Sequence, residues 1–204
     1  MKRDFQSVRT TAYTHTEADH RQFSNHNALG GQLQAASAPI HRAEYVPRAL
    51  PVSADDDRSD YRRASYTSAS LEPFSLKPTR TTKVIKTKHG KKRVVVMTKP
   101  QIGSAAADWS RWPAGTVFRL LSTGQVYKVE DYGWALAGRN TIDLYMPTRK
   151  AMNEWGAREE RIEILRWGDS EESLRLLQGH QGYRHIRRMV LELEGDEAGA
   201  AGLE

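Results

Sequence analysis

Hydrophobic residues alternate with polar ones in several short segments of the second half of the chain. Alternation over about four to eight residues is typical of β-strands that bury one face. The pattern predicts strands at residues 117–121, 125–130, 141–145 and 161–167. Residues 8–14, rich in β-branched and aromatic side chains, predict one more near the amino terminus. Short strands separated by turn residues favour a mainly β protein with a small barrel over a layered α/β fold.

Four further segments differ from this pattern. Residues 148–155 predict a short helix with Thr148 as its N-cap, and residues 170–178 predict a second helix. Residues 183–193 fit either a helix or a strand. The small, acidic tail from Gly195 is expected to be frayed.

The middle of the chain has no helical or strand periodicity. Residues 34–80 are crowded with Ala, Ser, Thr, Pro, Arg and Asp, a composition typical of loops and disorder. Two β-prone runs follow, residues 82–87 and 93–98, around His89 and Gly90. They predict an exposed basic hairpin.

Composition and charge limit the partners and the kinds of site that the chain can have. The formal net charge is +6, so an anionic partner such as nucleic acid or an acidic envelope polymer is plausible. The chain has no cysteine, which excludes disulfides, thiolate metal sites and cysteine nucleophiles. No apolar run approaches the roughly 18 residues of a membrane helix. No signal peptide is visible at the basic amino terminus, which predicts either a cytoplasmic protein or a chain that begins at a processed end.

Asp143 is the most unusual polar residue of the predicted strands, because Ile142 and Leu144 flank it. A carboxylate in apolar surroundings is costly unless it is paired, hydrogen-bonded or protonated. A protonated aspartic acid with a raised pKa is a candidate general acid. The alternative is that Asp143 faces outward on an alternating strand, and the strand pattern by itself favours neither interpretation.

Several motifs follow one another in an order that resembles a known family. They lie at residues 104–108, 112–116, 129–138 and 142–145, with Ala12, Tyr13 and Thr14 near the amino terminus. Together they resemble the three-aspartate (3D) domain, which is similar to the catalytic domain of the membrane-bound lytic transglycosylase A type.

The resemblance implies a six-stranded double-psi β-barrel with a short helix. The barrel is expected to be split into residues 5–33 and 99–168 by a low-complexity insert, residues 34–98, that ends in the basic hairpin. A C-terminal helical extension and tail, residues 169–204, follows.

The resemblance also implies roles for individual residues. Asp143 falls on the family's general acid and base, and Asp131 and Asp108 fall on its other two carboxylates. The residues expected to bind substrate are Thr14, Tyr13, Tyr132, Gly133, Trp134 and Tyr145. The chain has Asp131-Tyr-Gly-Trp134 where the family has Asp-Thr-Gly-Gly, so Tyr132 and Trp134 either stack on sugar rings or narrow the groove.

The implied reaction is lytic cleavage of peptidoglycan at the MurNAc–GlcNAc β-1,4 bond, with a 1,6-anhydro product. A single acid suffices, because the 6-hydroxyl of muramic acid is the attacking group, and Asp131 is expected to raise the pKa of Asp143 by like-charge repulsion. The resemblance therefore implies a monomeric enzyme of the periplasm or cell envelope that uses no cofactor or metal. No nucleic-acid partner is expected.

Two other functions stay open, and one other cluster of polar residues needs consideration as a site. The same barrel could bind glycan without cleaving it, or the chain could bind nucleic acid through the basic residues 83–93 and 184–188. The second of these basic segments is followed closely by acidic residues, which favours a mixed-charge surface. Potential metal ligands cluster at His15, Glu17, Asp19 and His20. Their spacing fits no recognised zinc motif, so no metal site is predicted.

Overall fold

The computed structural model describes residues 4–18, 20, 23–37, 79–87, 90–98 and 100–203, and for residues 79–98 it describes the backbone alone. The described strands are β1 (Asp4–Tyr13), β2 (Thr79–Thr87), β3 (Gly90–Thr98), β4 (Gly103–Ala107), β5 (Val117–Leu120), β6 (Val126–Asp131), β7 (Thr141–Tyr145) and β8 (Arg158–Arg166). The described helices are α1 (Arg149–Trp155), α2 (Ser170–Gln178), α3 (Arg184–Glu194) and α4 (Glu197–Ala201). The chain divides into two compact units, one formed by Met1–Pro39 with Pro100–Glu204 and the other by Ile40–Lys99.

In the first unit, six strands close into a barrel in the order β1-β7-β4-β6-β5-β8. The pairs β1·β7 and β4·β6 are parallel, and the other pairs are antiparallel. Closure leaves no strand edge with unpaired backbone groups. The expected mainly β fold with a closed six-stranded barrel is confirmed, and its topology is consistent with a double-psi barrel.

The barrel interior is filled by the apolar positions that alternate along each strand. Phe118, Ile142, Leu144 and Ile162 are fully buried there. Phe118 also stacks on Tyr127, with ring centroids 5.9 Å apart. Burial of each large apolar side chain stabilises the fold by about 1.5–3 kcal/mol. On β7 the residue between the two buried aliphatic side chains, Asp143, is partly exposed.

Most predicted elements of the first unit are present, with changed ends. The helix α1 has the expected N-cap, since the Thr148 hydroxyl accepts a hydrogen bond from the backbone N–H of Ala151. Strand β1 begins at Asp4 rather than at residue 8, and β8 begins at Arg158 rather than at residue 161. Both strands are longer because they pair with each other, and the register of this pairing is a tertiary property that local patterning does not carry.

Residues after β8 form a helical extension. The Asp169 side chain caps α2, and the region that fits either a helix or a strand is the helix α3, which buries Ile186, Met189 and Val190. The expectation of a frayed tail is wrong: Gly195, at φ 82°, ends α3, and α4 follows with Ala200 buried. None of the helices in the described part of the chain has the length and apolar character needed to span a membrane.

The second unit contains the predicted hairpin. Strands β2 and β3 pair antiparallel from Thr79↔Thr98 to Thr87↔Gly90, so the hairpin is longer than its two β-prone runs. The predicted loop or disorder of residues 38–78 lies outside the described residues. The three-part domain division therefore stays a prediction.

Candidate active site

Four neighbouring strands of the barrel bring one residue each into a lateral row. Thr11 on β1 pairs with Asp143 on β7, Asp143 pairs with Ala106 on β4, and Ala106 pairs with Asp131 on β6. Paired residues of adjacent strands point to the same side of a sheet. This set, called the carboxylate row below, therefore lies on the face opposite the core-facing Ile142 and Leu144, which are fully buried.

A β-bulge places Asp131 in the carboxylate row. The register between β4 and β6 shifts, so that Ala105 pairs with Val129 whereas Ala106 pairs with Asp131. Glu130 is the extra residue of the bulge. Bulges of this kind are common next to active sites, where they redirect a side chain. A regular strand would have put Glu130 opposite Ala106 and turned Asp131 to the other face.

Ala106 separates the two carboxylates and adds little bulk. It is 5% exposed and belongs to a small apolar cluster on this outer face, together with Tyr13, Leu33, Leu136 and Tyr145. The two aspartates are two strands apart, which places their Cα atoms about 10 Å from each other. The carboxylate row thus has an acidic residue on each side of an apolar floor.

Asp143 receives a hydrogen bond from the neighbouring strand. The Thr11 hydroxyl donates to its Oδ1 atom at 2.8 Å. The carboxylate faces outward, as strand alternation requires, and is hydrogen-bonded as well. The two interpretations of the sequence therefore do not exclude each other, and the catalytic role of Asp143 stays a prediction.

Asp131 is buried and accepts several hydrogen bonds. Its Oδ2 atom lies 3.4 Å from the Tyr13 hydroxyl, which donates to it, and 3.3 Å from Nε2 of His20. Its Oδ1 atom accepts from the backbone N–H of Tyr132 at 3.0 Å. The side chain is thus held by groups from β1, from the segment after β1 and from its own strand end.

These contacts shift the pKa values of the groups that hydrogen-bond to Asp131. Burial raises the pKa of Tyr13 well above its usual value, and the charges of Asp131 and Asp143 raise it further. The phenol therefore stays neutral and remains a donor. The hydrogen bond to Asp131 raises the pKa of His20, which favours an imidazolium–carboxylate pair.

Trp109 fixes the backbone at Asp131, and sequence reasoning missed it. Its indole Nε1–H donates to the Asp131 carbonyl oxygen at 2.9 Å, and the side chain is 1% exposed. The edge of its ring meets Tyr132 at 5.0 Å between centroids. The sequence did offer a signal for Trp109, because this large aromatic residue comes directly after Asp108, which itself follows a run of three alanines.

Tyr145 and Thr14, two of the residues expected to bind substrate, differ in whether their hydroxyl groups are hydrogen-bonded. Tyr145 is buried, and its hydroxyl is hydrogen-bonded to His15 at 2.8 Å and to Asn25 at 3.3 Å. Thr14 is buried too; its backbone N–H donates to Glu17, and its hydroxyl has no hydrogen-bond partner among the described residues. The threonine that contacts Asp143 is Thr11, which sequence reasoning did not single out.

The departure from the family motif produces two different aromatic environments. Trp134 is 70% exposed. Tyr132 is partly buried, and its ring lies between Trp109 and His185, with centroids 5.0 and 6.1 Å away. Burial raises the pKa of Tyr132, with Asp131 adding to the effect. Gly133 is the start of a turn in which its carbonyl accepts from Leu136. Of the two rings, Trp134 is therefore the more accessible to a ligand.

Asp108 takes part in a separate network. It is fully buried and accepts from Ser110 N at 2.9 Å, Ser110 Oγ at 2.6 Å and Gly138 N at 2.5 Å. Burial raises its pKa, although these hydrogen bonds oppose the shift. The Ser110 hydroxyl also contacts Glu192 of α3. The network connects β4 to the loop before β7 and to the helical extension, and the catalytic assignment of Asp108 stays a prediction.

The potential metal ligands after β1 have separate partners. His15 is hydrogen-bonded to Tyr145, Glu17 to the Thr14 backbone and His20 to Asp131, while Asp19 lies outside the described residues. Within the described ranges no three His, Cys, Asp or Glu side chains form a group that could hold a metal ion.

A cavity of about 620 Å³ opens at the junction of β8 and α2, away from the carboxylate row. Trp167 and Asp169 are among the residues that line it, and neither Asp131 nor Asp143 does. The candidate site is therefore identified by its side-chain chemistry and register rather than by an enclosed cavity.

No family model matches the chain, and no curated protein sequence matches it. A solved structure, the crystal structure of MltA from Escherichia coli, is similar over 38% of this chain and 32% of that chain, with 19% sequence identity and a TM-score of 0.26. The chain thus matches about a third of the length of that protein.

Proposed function

We propose that this barrel cleaves peptidoglycan glycan strands in the manner of a lytic transglycosylase, with Asp143 as general acid and base. The observation that carries the proposal is the carboxylate row, in which Asp143 and Asp131 lie on one outer face with Ala106 between them. The ordered motifs that resemble the 3D domain support the choice of substrate. An envelope location follows from that substrate and is part of the proposal.

The carboxylate row favours a mechanism with a single acid. Ordinary glycosidases use two carboxyl groups about 5–9.5 Å apart, one of them as nucleophile or as base for water. Here Asp131 is 8% exposed and already accepts hydrogen bonds from Tyr13 and His20, so it is poorly placed for either task. Asp143 is partly exposed on the same face.

In the proposed reaction, protonated Asp143 donates its proton to the glycosidic oxygen as the bond between that oxygen and C1 of muramic acid breaks. The 6-hydroxyl of the same muramic acid attacks C1, and its proton passes to the Asp143 carboxylate. The products are a 1,6-anhydromuramic end and a sugar with a free 4-hydroxyl. No water is consumed, and the acid is regenerated in its protonated form.

The neighbouring groups have supporting roles in this mechanism. The Thr11 hydroxyl orients the Asp143 carboxyl group through its hydrogen bond. The Asp131 carboxylate, two strands away on the same face, helps to order the sugar. Tyr13 stays a neutral donor beside both carboxylates, because burial and their charges raise its pKa.

The test is digestion of purified sacculi by the wild-type protein and by Asp143→Asn. The wild type should release 1,6-anhydro-muropeptides, detected by mass spectrometry, and the variant should lose about 1,000-fold in rate without losing its fold. Glu159→Gln, which neutralises an exposed carboxylate on β8, is the matched control and should retain full activity. Retained turnover in Asp143→Asn would disprove the assigned role.

A second candidate is a barrel that binds glycan without cleaving it. Trp134 favours it, because this ring is 70% exposed where the family motif has glycine and can stack on a sugar. In that case the wild type would sediment with sacculi, and Trp134→Ala would not. Anhydro products would be absent from both digests.

A further inference from the structure

A row of aromatic rings leads from Asp131 to the surface of the helical extension. We call the set Trp109, Tyr132, His185 and Tyr183 the aromatic row. Successive ring centroids are 5.0, 6.1 and 5.8 Å apart. At one end of the row, the Trp109 indole N–H donates a hydrogen bond to the Asp131 carbonyl oxygen. At the other end, Tyr183 is 65% exposed. The row therefore runs from the backbone at Asp131, through the buried Trp109 ring, to the exposed ring of Tyr183.

The outer half of the aromatic row is held firmly on the barrel. Tyr183 is the N-cap residue of α3, and His185 lies in its first turn. Behind them, Ile186 and Met189 are buried, and the Met189 sulfur accepts a hydrogen bond from the Trp109 backbone N–H. A helix anchored in the core holds the backbone of Tyr183 in place, and the ring contacts His185, which limits the entropy lost when a ligand binds.

Polar contacts fix the same helix a second time. Arg188 donates a hydrogen bond to Glu192 at 3.0 Å, and Glu192 also contacts the Ser110 hydroxyl. A Cβ at Gly138, whose φ is 76°, would collide with the Arg188 guanidinium, so the loop before β7 lies close against α3. The helical extension and the loop that follows Trp134 thus form one wall.

Burial favours the neutral forms of two rings of the aromatic row. Burial lowers the pKa of His185, which favours the uncharged imidazole, and burial raises the pKa of Tyr132. Neutral aromatic rings with polar tips offer an apolar face and hydrogen-bonding edges together. The pyranose rings of a glycan strand, with an apolar face of C–H groups and hydroxyl groups around it, match that surface.

We propose that Tyr183, supported by His185, forms a saccharide-binding subsite that the helical extension adds to the barrel. Its ligand is a sugar ring of the glycan strand that lies beyond the bond at Asp143, on the Asp131 side. This inference rests on the proposed function. It assigns a role to residues that lie outside the segments resembling the 3D domain.

The test measures binding apart from cleavage. Asp143→Asn is the parent protein, and N-acetylglucosamine tetrasaccharide and a tetrasaccharide of alternating GlcNAc and MurNAc are the probes in isothermal titration calorimetry. Tyr183→Ala in this parent should weaken binding of both by about fivefold, the range expected for one aromatic contact. Tyr183→Phe, which keeps the ring, should bind within about twofold of the parent.

Phe5→Ala is the matched control, because Phe5 is also an exposed ring but lies eight residues, or about 26 Å, from Tyr13 along β1. It should not change the affinity. Equal affinities of the parent and Tyr183→Ala, with unchanged unfolding temperatures, would overturn the subsite and leave the proposed function standing. Failure of the parent itself to bind either probe would overturn both.

Discussion

Asp143 and Thr11 are the pair on which the proposed chemistry depends. The aspartate is 132 positions away from the threonine in the chain, yet the parallel pairing of β1 and β7 places them side by side. A hydrogen bond to a charged group contributes about 1.5–3 kcal/mol. Loss of the Thr11 hydrogen bond should therefore change the rate of the proposed cleavage reaction.

Replacement of Thr11 by valine should lower the rate of anhydro-muropeptide release by about tenfold, because about 1.4 kcal/mol of carboxylate positioning is lost. Val has nearly the same shape, so the barrel should unfold at nearly the wild-type temperature. Thr11→Ser keeps the hydroxyl and should restore most of the rate. A Thr11→Ser variant as slow as Thr11→Val would contradict the positioning role.

His20 and Asp131 form a second pair, which predicts a pH-dependent stability. The pKa of His20 is raised in the folded protein, so its contribution to stability is fully present below its ordinary pKa of about 6.5. That contribution is lost as the pH rises through the raised value, where the imidazole loses its charge.

His20→Gln should therefore reduce the free energy of unfolding more at pH 6 than at pH 9, measured by urea denaturation at both values. His180→Gln, at an exposed histidine of the helical extension, is the control and should have a small effect at each pH. An equal loss for His20→Gln at both pH values would argue against the ion pair.

Strand β4 serves two purposes at the level of elements. Ala106 forms the floor between the carboxylates, and Asp108, directly after the strand, receives hydrogen bonds from Ser110 and the loop at Gly138. Through Ser110 this network reaches α3. One short strand thus fixes both the site and the wall that carries the aromatic row.

Asp108→Ala should lower the free energy of unfolding by about 3 kcal/mol, because two backbone N–H groups lose a buried charged acceptor. Asp169→Ala, which removes only the N-cap of α2, should cost about 1 kcal/mol and is the comparison. Both are measured by chemical denaturation. If Asp108→Asn instead abolished glycan cleavage at unchanged stability, the carboxylate would belong to the catalytic machinery.

At the scale of the whole molecule, the barrel closes without the hairpin. Its strands come from both sides of the insert, and the described residues that flank the insert meet: Ser37 N–H donates to the Gln101 carbonyl at 3.0 Å, and Gln101 N–H donates to the Ser37 hydroxyl at 2.9 Å. A short connection can therefore replace the intervening chain at a modest entropic cost.

Replacement of residues 40–99 by a short Gly-Ser linker should leave a cooperatively unfolding barrel, with a midpoint temperature within about 5 °C of the wild type. Release of anhydro-muropeptides should continue. Calorimetry and sacculus digestion measure the two outcomes. Loss of cooperative unfolding would show that the insert is part of the barrel's stability.

Local patterns along the chain predicted a large part of this structure. Alternating residues predicted the strands β5 to β8, and capping residues predicted α1, because both signals depend on neighbours within a few positions. Local alternation also singled out Asp143, and the resemblance to the 3D domain added Asp131 as a candidate residue. The absence of cysteine by itself excluded thiol chemistry.

Only the tertiary structure decided how these residues meet. The bulge at Glu130, the Thr11–Asp143 hydrogen bond and the Trp109 contact depend on strand register, which joins positions far apart in sequence. The folding of α3 also depends on burial in the core, and that of α4 on packing against α3, rather than on local propensity. Sequence therefore supplied the candidate chemistry of the site, and strand register supplied its geometry, because side-chain direction in a barrel is fixed by pairing.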